Sequence, residues 1–233
     1  MTFDELVAIN PKLKEFCASI PAENDGKFTL KTINKGSVVH KKDSPLESVG
    51  ILLTGTFRVV NELENGNVFM IERNSPISFV GEVTLVAGAK TTSVTIEATE
   101  DCQVAFTSVK NFSSWLDNDP IFLKNIASHI AKKLYISSYY SGERMFYSSK
   151  YVLLKYLIGS ATQNARIEKT RREMSEETGI SEKTVSRLIA KFEELNLVSL
   201  VRGKVSMSAQ QLARAEELKE VYLSENRNGN TAF

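Results

Sequence analysis

The sequence predicts an α+β fold in which a group of short strands comes first, one long helix follows, and a compact unit of helices with a hairpin comes last. Three observations lead to this order. Short apolar and alternating segments crowd residues 27–107, a run of about 26 residues after Pro120 contains no proline, and residues 170–207 combine helix caps with turn residues at close spacing.

Six strands are predicted in the first part of the chain. They cover residues 28–33, 49–53, 56–60, 68–71, 92–98 and 102–106. Asn65-Gly66, which separates two of them, favours a tight hairpin turn, and Glu100-Asp101 is the predicted turn before the last strand. Strands this short and this closely spaced are typical of a barrel or a sandwich.

The long central helix is predicted to begin at Pro120, because Asp119 can cap it and proline fits its first turn. Apolar residues then recur at intervals of three and four positions, at Leu123, Ile126, Ile130 and Leu134. The run is far longer than the average helix of ~11–12 residues. Its apolar stripe has two interpretations, packing on the chain's own strands or pairing with a second copy of the helix, and both can hold on different faces.

Residues 145–150 are polar and contain serines, and they form the predicted hinge at the end of this helix. Residues 151–157 are predicted as a further apolar helix that ends at Gly159, and residues 162–169 as a polar connector. Near the C-terminus, residues 209–225 are predicted as an additional helix, whose stripe is Leu212, Ala215, Leu218 and Tyr222.

A helix-turn-helix is predicted from residue 170 onwards. Thr170 and Glu173 fit a capping box, Gly179 suits the left-handed end of a short first helix, and Ser181 can cap the second helix. The predicted buried face of the second helix consists of Val185, Leu188, Ile189, Phe192 and Leu195. Residues 198–201 and 204–207 then flank Arg202-Gly203, which predicts a hairpin and makes the unit winged.

The opposite face of the second helix predicts binding to DNA. Arg187 can make a bidentate contact with guanine, Glu182 can accept from cytosine N4, and Lys183 can donate to guanine or to a phosphate. Arg171, Thr184 and Lys191 are placed to contact phosphates, which give affinity without sequence readout. The complete predicted set is Arg171, Ser181, Glu182, Lys183, Thr184, Ser186, Arg187, Lys191 and Arg202. The alternative is a surface helix whose cations are only solvated.

The distribution of charge fits an anionic partner for the C-terminal part. The 233-residue chain has a net charge of +1, whereas residues 150–204 contain 11 lysines and arginines against seven glutamates. No segment approaches the ~20 apolar residues of a membrane span. The N-terminus has no basic region followed by an apolar run. We therefore expect a cytoplasmic protein with no membrane partner.

Catalysis and metal binding have no support in the sequence. The chain contains Cys17, Cys102, His40 and His129 as its only cysteines and histidines. It has no glycine-rich phosphate loop, no histidine–cysteine cluster with metal spacing and no recognisable triad. Two cysteines are too few for an all-cysteine iron–sulfur cluster. We expect no enzyme activity, no metal and no iron–sulfur cofactor, while haem and a thiol sensor at Cys102 stay open.

Three motifs resemble those of the cyclic AMP receptor protein / fumarate–nitrate reduction regulator (CRP/FNR) family of bacterial transcription factors. The strongest is GISEKTVSR at residues 179–187, followed by Asn-Leu-Val at 196–198. The second is Gly81-Glu82 with TTSVTIEA at residues 91–98, and the third is KKLYISS at residues 132–138 with Gly142 and Phe146. The resemblance covers residues from about 28 to 207.

The resemblance implies an architecture. An N-terminal β-roll, a jelly roll of the cyclic-nucleotide-binding type, would occupy residues 1–117, and a dimerisation helix with its hinge residues 118–147. A winged helix-turn-helix would occupy residues 148–207, and a C-terminal helix and tail residues 208–233.

The resemblance also implies a function. Such proteins are homodimeric, sequence-specific transcription regulators, whose two recognition helices read the two halves of a palindromic operator. The centres of these half-sites lie about one DNA turn apart. The partners implied are double-stranded DNA, a second copy of the chain and RNA polymerase. A second function stays open, that of a small-molecule sensor whose output is a protein–protein interaction instead of DNA binding.

The same resemblance places an effector pocket at Gly81, Glu82, Thr92, Ser93, Ser137 and Ser138. In nucleotide-binding members the glutamate holds ribose, and a later arginine neutralises the cyclic phosphate. Here the arginine position is Thr92, and a hydroxyl supplies no fixed positive charge. A cyclic nucleotide is therefore not expected as a cofactor, and Glu82 also has a structural interpretation at a tight turn. Regulation by another effector, or by none, stays open.

Overall fold

The structure is a computed structural model that describes residues 1–17, 19–64, 66 and 68–229, with their side chains except those of 139–145 and 226–229. The chain forms two compact units. The first consists of residues 1–66 and 70–136, and the second mainly of residues 137–233. One long helix, α5 at Pro120–Phe146, begins in the first unit and ends in the second.

Two four-stranded sheets form the centre of the first unit. The described strands are β1 (Thr29–Ile33), β2 (Val38–His40), β3 (Ser48–Thr54), β4 (Phe57–Glu62), β5 (Val68–Asn74), β6 (Ser78–Val80), β7 (Thr95–Ala98) and β8 (Cys102–Ser108). The first sheet has the order β1-β8-β3-β6, and the second has the order β2-β7-β4-β5. Two packed sheets of short strands confirm the predicted β-roll.

Strand β3 is buried on both faces, which explains why residues 49–53 read as a continuous apolar run. Ile51 and Leu53 face a core that the helices of this unit complete. Leu52 faces a second core between the two sheets, together with Phe57 and Val104. Because successive side chains of a strand point to opposite faces, a strand covered on both sides needs apolar residues at every position.

One detail of the strand prediction was wrong. Strand β7 begins at Thr95 instead of Thr92, because the N–H of Thr92 bonds to the Ser44 carbonyl and not to a neighbouring strand. The predicted turn at residues 100–101 does separate β7 from β8, and it leads from one sheet to the other. The hairpin expected at Asn65-Gly66 agrees with the neighbouring positions of β4 and β5, although Asn65 itself lies outside the described residues. Strands β2 and β6 were not predicted.

Helices close one side of the first unit. They are α1 (Phe3–Ile9), α2 (Leu13–Phe16), α3 (Glu82–Val86), α4 (Val109–Asn118) and the first part of α5. The predicted cap of α5 is confirmed, because Asp119 Oδ1 accepts from the N–H groups of Ile121 and Phe122 at 3.0 Å each. Phe122 then stacks on Trp115 of α4 with 3.7 Å between the ring centroids.

The predicted apolar stripe of α5 divides between two faces. Ile126 is fully buried in the core of the first unit, and Ile130 packs against that core. Leu123 and Leu134 are exposed instead. The interpretation in which the stripe packs on the chain's own strands is therefore confirmed for the inner residues only, and the outer residues face solvent in the single chain.

The second unit is built from four helices and a small sheet, besides the end of α5. Its elements are α6 (Ser149–Gln163), β9 (Arg166–Ile167), α7 (Arg171–Thr178), α8 (Glu182–Glu194), β10 (Ser199–Val201), β11 (Lys204–Ser206) and α9 (Ala209–Gly229). The sheet has the order β10-β11-β9. Helices α6, α7 and α8 share one core, against which Leu212, Leu218 and Tyr222 of α9 pack. This arrangement confirms the predicted winged helix-turn-helix.

Three local predictions in this unit were wrong. Helix α6 continues through Gly159, because a helical glycine costs only about 1 kcal/mol and the next turn buries Ala161. The expected connector at residues 162–169 contains β9, which pairs with β11. Leu195 is exposed, since it is the C-cap of α8 and not a member of its buried face.

Candidate DNA-reading helix and effector pocket

Helices α7 and α8 are joined by a turn that the sequence specifies locally. Gly179 ends α7 in the left-handed region, with φ of 73°. Ser181 Oγ then accepts from the N–H of Thr184 at 3.3 Å and caps α8. At the start of α7, Thr170 Oγ1 accepts from the N–H of Glu173 at 3.1 Å, and Glu173 Oε2 accepts from the N–H of Thr170 at 2.7 Å. The predicted capping box and cap are both confirmed.

Helix α8 buries one side and exposes the other. Val185, Ile189 and Phe192 lie in the core of the second unit. The exposed side carries Glu182, Lys183, Ser186 and Arg187. Residues three or four positions apart share one side of a helix, so these four form a continuous polar strip. In the described part of the chain no ion pair engages Lys183 or Arg187, which leaves both cations available to an external group.

Two other predicted contact residues on the helices are less free. Lys191 is exposed but lies 3.4 Å from Glu194 within the same helix. Arg171, the first residue of α7, is only half-exposed, and burial lowers the pKa of its guanidinium, an effect that Glu193 opposes. An exposed pair of this kind is worth little in water, so Lys191 can exchange Glu194 for a phosphate.

The two hydroxyls near the start of α8 are bonded to each other. Ser181 Oγ and Thr184 Oγ1 lie 2.9 Å apart, besides the cap that Ser181 makes. A hydroxyl can donate once and accept twice. Ser181 Oγ donates to Thr184 Oγ1, whereas the Thr184 hydroxyl only accepts and keeps its own proton for an external anion. In this arrangement Ser181 serves the start of the helix, and it can donate to a phosphate only if its bond to Thr184 is exchanged.

The wing is the hairpin of β10 and β11. Its two-residue turn is formed by Arg202 and Gly203, whose φ angles are 51° and 75°. Positive φ at both positions is typical of a type I′ turn, which matches the twist of antiparallel strands. The side chain of Arg202 is exposed at the tip. The sheet is completed by β9, in which Ile167 lies opposite Val205.

A polar network holds α7 beside α6. The hydroxyl of Tyr156 donates to Glu177 Oε2 at 2.7 Å, and the ammonium of Lys169 pairs with the same carboxylate. Burial raises the pKa of Tyr156, and Glu177 raises it further, so the phenol remains a neutral donor. The network connects the helix that supports α8 to the core of the unit, and it was not predicted.

The candidate effector pocket contains a buried ion-pair cluster. Gly81 precedes α3 with φ of 88°, and a Cβ there would lie 2.7 Å from Leu46 Cδ1. Glu82 follows, and its side chain is 3% exposed. Lys133 on α5 places its ammonium 2.9 Å from Glu82 Oε1 and 2.9 Å from Glu72 Oε1 on β5. The carboxylate of Glu82 is therefore already bonded within the chain.

The protonation of this cluster follows from burial and from its charges. Burial raises the pKa of Glu82, and Lys133 opposes that effect. Burial alone would lower the pKa of Lys133, but Glu82 and Glu72 outweigh it, so the pKa lies above its ordinary value. His129 Nε2 lies 3.9 Å from Glu82 Oε1 and has no hydrogen bond to any described group. Burial, with Lys133, lowers the pKa of His129 to about 4, so its imidazole is neutral at pH 7.

The other predicted pocket residues have different environments. Thr92 is buried, and its hydroxyl donates to the carbonyl of Lys41 at 2.7 Å. Ser93 is exposed, as are Ser137 and Ser138, which belong to the second unit. Among the described residues, no hydrogen bond joins Glu82 to Thr92 or to Ser93. Gly81 and Glu82, which are adjacent in the chain, thus lie at the ion-pair cluster, whereas the Thr92 hydroxyl is bonded to the Lys41 carbonyl.

Sequence reasoning assigned no part in the pocket to Glu72, His129 or Lys133. Lys133 follows Ile126 and Ile130 along the buried side of α5, and a charge on such a stripe indicates a buried partner. Its carboxylate partner Glu82 could not be found by spacing, because it lies 51 residues earlier in the chain.

The two cysteines are poor candidates for a sensor. Both are buried and free. Burial raises the pKa of both thiols, to about 12 for Cys17. Since the thiolate is the reactive form, both side chains fit inert core residues better than a redox sensor.

The described residues offer neither a grouped set of metal ligands nor a helix suited to a bilayer. Within them, no three or more histidine, cysteine, aspartate and glutamate side chains are grouped so that they could hold a metal ion. No helix in the same part of the chain has the length and apolar character that crossing a membrane requires.

Two known protein families match successive parts of the chain. The cyclic nucleotide-binding domain family matches residues 30–119, which run from β1 to the end of α4. The Firmicute plasmid replication protein (RepL) family matches residues 121–228, which run from α5 almost to the end of α9. The boundary between the matches coincides with the start of α5.

Curated relatives match over most of the chain. The cAMP-activated global transcriptional regulator CRP of Salmonella typhimurium is 25% identical over 174 residues, which cover 71% of this chain and 82% of the relative. The regulator of the same name from Escherichia coli O157:H7 is 24% identical with the same coverage.

Solved structures share the fold. The c-di-GMP responsive global regulator CLP of Xanthomonas campestris superposes with a TM-score of 0.71 at 15% identity, covering 78% of this chain and 95% of its own. A transcriptional regulator of the Crp/Fnr family from Eubacterium rectale also gives a TM-score of 0.71, at 14% identity, covering 90% of this chain and 99% of its own. At these identities the likeness concerns the fold alone.

Proposed function

We propose that the chain, a DNA-binding transcription regulator similar to those of the CRP/FNR family, acts as a homodimer whose two copies of α8 read a palindromic operator. The observation that carries this proposal is the exposed strip of Glu182, Lys183, Ser186 and Arg187 on a helix whose other side is fixed in a core. A capped, firmly seated helix with exposed cations has the geometry of a recognition helix in a major groove.

The residues of the strip take different roles in this proposal. Arg187 makes a bidentate contact with guanine, Glu182 accepts from cytosine N4, and Lys183 donates to guanine or to a phosphate. Ser186 lies between Glu182 and Ala190 on the same side and contacts a base edge or a phosphate. None of these contacts needs a change in α8, because its caps and its core packing are already formed.

Phosphate contacts surround the strip. Lys191, Thr184 and Ser181 lie on α8 or at its start, Arg171 begins α7, and Arg202 is at the tip of the wing. Contacts to phosphates orient a protein on the duplex and do not distinguish sequences. The net positive charge of residues 150–204 supports the same assignment.

The outer side of α5 is the proposed dimer interface. Leu123 and Leu134 lie there about three helical turns apart with exposed side chains, and Leu134 is 67% exposed. Several large apolar side chains exposed on one long helix mark an interaction surface. In a symmetric dimer the same surface of two subunits pairs with itself, and two recognition helices are then presented to adjacent half-sites.

The proposed setting is the cytoplasm, with RNA polymerase as the further partner through which DNA binding changes transcription. We propose no enzyme activity, since the candidate site consists of groups that bind and contains no nucleophile with an adjacent base.

The test begins with the operator. Immunoprecipitation of bound chromosomal DNA followed by sequencing supplies the half-site, and light scattering gives the subunit number. Fluorescence anisotropy then compares the chain with Arg187→Ala on this operator and on a scrambled duplex. We expect Arg187→Ala to lose about 1–3 kcal/mol of discrimination, which is roughly 5- to 150-fold in Kd, and to remain a dimer.

A matched control removes an arginine elsewhere in the same unit. Arg214 is exposed on α9, so Arg214→Ala should bind the operator as the unchanged chain does. Normal discrimination by Arg187→Ala would contradict the assignment of base readout to α8. A chain that protects no chromosomal site would contradict the proposed function itself.

A further inference from the structure

The residues of the effector pocket do not fit a cyclic nucleotide. Such a ligand carries one negative charge on its phosphate and needs a cation to neutralise it. The position expected to supply that cation is Thr92, whose hydroxyl is donated to the Lys41 carbonyl in a buried site. The cluster of Glu72, Glu82 and Lys133 has one ammonium, which is already shared between the two carboxylates. It therefore offers no spare cation to a phosphate.

Glu82, the residue that would bind a ribose, is likewise already bonded within the chain. A ribose hydroxyl would have to take over the role that the Lys133 ammonium already fills at Glu82 Oε1, at 2.9 Å. A hydrogen bond from a charged donor to a carboxylate is about twice as strong as one from a neutral donor. With its side chain 3% exposed, Glu82 also cannot be reached unless Lys133 moves away.

We propose that Lys133 is a built-in replacement for an effector: it joins α5 to Glu82 and Glu72, fixes that helix on the β-roll, and so allows the chain to read its operator without a cyclic nucleotide. This inference rests on the proposed function. In its terms Lys133 is a positioning residue, because it acts on DNA through α5 and does not contact DNA itself.

The location of the cluster supports this role. It joins three elements, since Lys133 belongs to α5, Glu82 to α3 and Glu72 to β5. Along α5, Phe122 and Ile126 are buried in the core of the first unit, and Lys133 also turns inward, towards Glu82 and Glu72.

The residues that follow Lys133 have the opposite exposure. Leu134, Tyr135 and Ile136 are all exposed on α5, where we place the dimer interface. The cluster thus lies close to the end of the part of α5 that belongs to the first unit, which is residue 136. A change in the bonds of Lys133 would therefore alter how α5 is held just before the residues that belong to the second unit.

The first experiment measures nucleotide response in the unchanged chain. Isothermal titration calorimetry with millimolar cyclic AMP and then cyclic GMP should show no saturable heat. Operator affinity, measured by fluorescence anisotropy, should change less than about twofold when either nucleotide is added, whereas allosteric effectors usually change affinity about 5- to 150-fold. Saturable binding, or an affinity gain in that range, would overturn the proposal.

The second experiment tests Lys133 by substitution. Lys133→Met should weaken operator binding at least about fivefold, the lower end of ordinary allosteric coupling. Lys133→Arg retains the charge and should restore binding to near the original value. Lys132→Met is the matched control, since Lys132 is the neighbouring exposed lysine on the same helix. Unchanged binding by Lys133→Met, or equal loss in Lys132→Met, would overturn the proposal.

A double variant separates positioning from simple stability. Glu82→Gln with Lys133→Met removes the buried carboxylate and its ammonium together. The Glu72 carboxylate loses its partner too, but it is 25% exposed and can be solvated by water. If Lys133 positions α5, this protein should be folded and still bind the operator weakly. If Lys133 only protects the fold, the double variant should regain full affinity, which would overturn the proposal.

Failure of the proposed function gives a different pattern. A chain that is dimeric but protects no chromosomal DNA would refute DNA binding, and calorimetry would still decide whether the pocket accepts a nucleotide. A chain that binds its operator only after a cyclic nucleotide is added would keep the proposed function and refute the role of Lys133.

Discussion

The ammonium of Lys133 lies 2.9 Å from the carboxylate of Glu82, whose side chain is almost sealed from solvent. Removing one partner of a buried pair leaves the other ion without compensation and costs about 3–5 kcal/mol. We therefore expect Lys133→Met to lower the free energy of unfolding by about that amount in urea titrations followed by circular dichroism. The exposed control Lys132→Met should change it by less than about 0.5 kcal/mol.

The double variant again gives the sharper test of this first prediction. Glu82→Gln with Lys133→Met should recover most of the lost stability, because a neutral amide is far cheaper to bury than a carboxylate. A double variant as unstable as Lys133→Met would mean that the pair of Lys133 with Glu72, which the double variant does not repair, supplies the stabilisation.

The correct parts of the sequence prediction depend on local signals. The cap at Asp119, the capping box of Thr170 with Glu173, and the left-handed end at Gly179 each depend on residues within one turn of a helix. The Arg202-Gly203 turn needs only positive φ at two adjacent positions. Such signals lie side by side in the sequence, so the helix-turn-helix and the exposed strip of α8 could be predicted residue by residue.

The incorrect and missing parts depend on distant partners. Residues 92–94 alternate like a strand, but Thr92 bonds to Lys41 and Ser44 instead, across about 50 residues of chain. The partner of Lys133 lies in another element altogether. Gly159 has the local character of a helix end, yet the core of the second unit carries α6 past it. Tertiary contacts decided these positions, and spacing alone does not reveal them.

The second prediction concerns acid stability and His129. Its pKa is lowered from 6.5 to about 4, first by burial and then by Lys133 and Lys132, while Glu72 opposes the shift. Between these values the unfolded chain binds more protons than the folded chain. Stability is therefore complete above about pH 6.5 and is lost as the pH falls towards 4, by at most about 3 kcal/mol from this group.

A substitution isolates that contribution. His129 packs edge-to-face on Phe16 and Phe79, with ring centroids 6.1 Å and 5.8 Å away. His129→Phe retains an aromatic ring and removes the titrating group. At each pH, the free energy of unfolding of His129→Phe, measured in urea, is subtracted from that of the unchanged chain. This difference should decrease as the pH is lowered from 6.5 to 4. Parallel curves would show that His129 does not titrate in this window.

The third prediction concerns the dimer. Leu134→Glu places a charge in the middle of the exposed apolar side of α5, where a second copy would bury it. We expect the dissociation constant of the dimer, measured by analytical ultracentrifugation, to rise at least about tenfold, which corresponds to about 1.4 kcal/mol. Val221 is an exposed apolar residue on α9, so Val221→Glu should leave the subunit number unchanged. An unaffected dimer in Leu134→Glu would place the interface elsewhere.

The fourth prediction separates phosphate contacts from base contacts. Lys191 lies on the exposed part of α8, next to the strip. Lys191→Gln should weaken operator and scrambled DNA equally. It should also lower the salt slope of log K by about 0.9 for each phosphate that is no longer neutralised, roughly 1.8 for a symmetric dimer. Arg187→Ala should alter the preference for sequence instead. A change of preference in Lys191→Gln would assign it to a base.

The fifth prediction compares two capping boxes that have the same residue types, one in each unit. Thr170 and Glu173 cap α7, and Thr2 and Glu5 cap α1 in the same way. Loss of such a hydroxyl costs about 1 kcal/mol. Thr170→Ala and Thr2→Ala should therefore lower the free energy of unfolding by similar amounts, but only Thr170→Ala should also weaken operator binding, because α7 supports the recognition helix. Equal effects of both variants on operator affinity would show that general stability, and not the seating of α8, sets the strength of DNA binding.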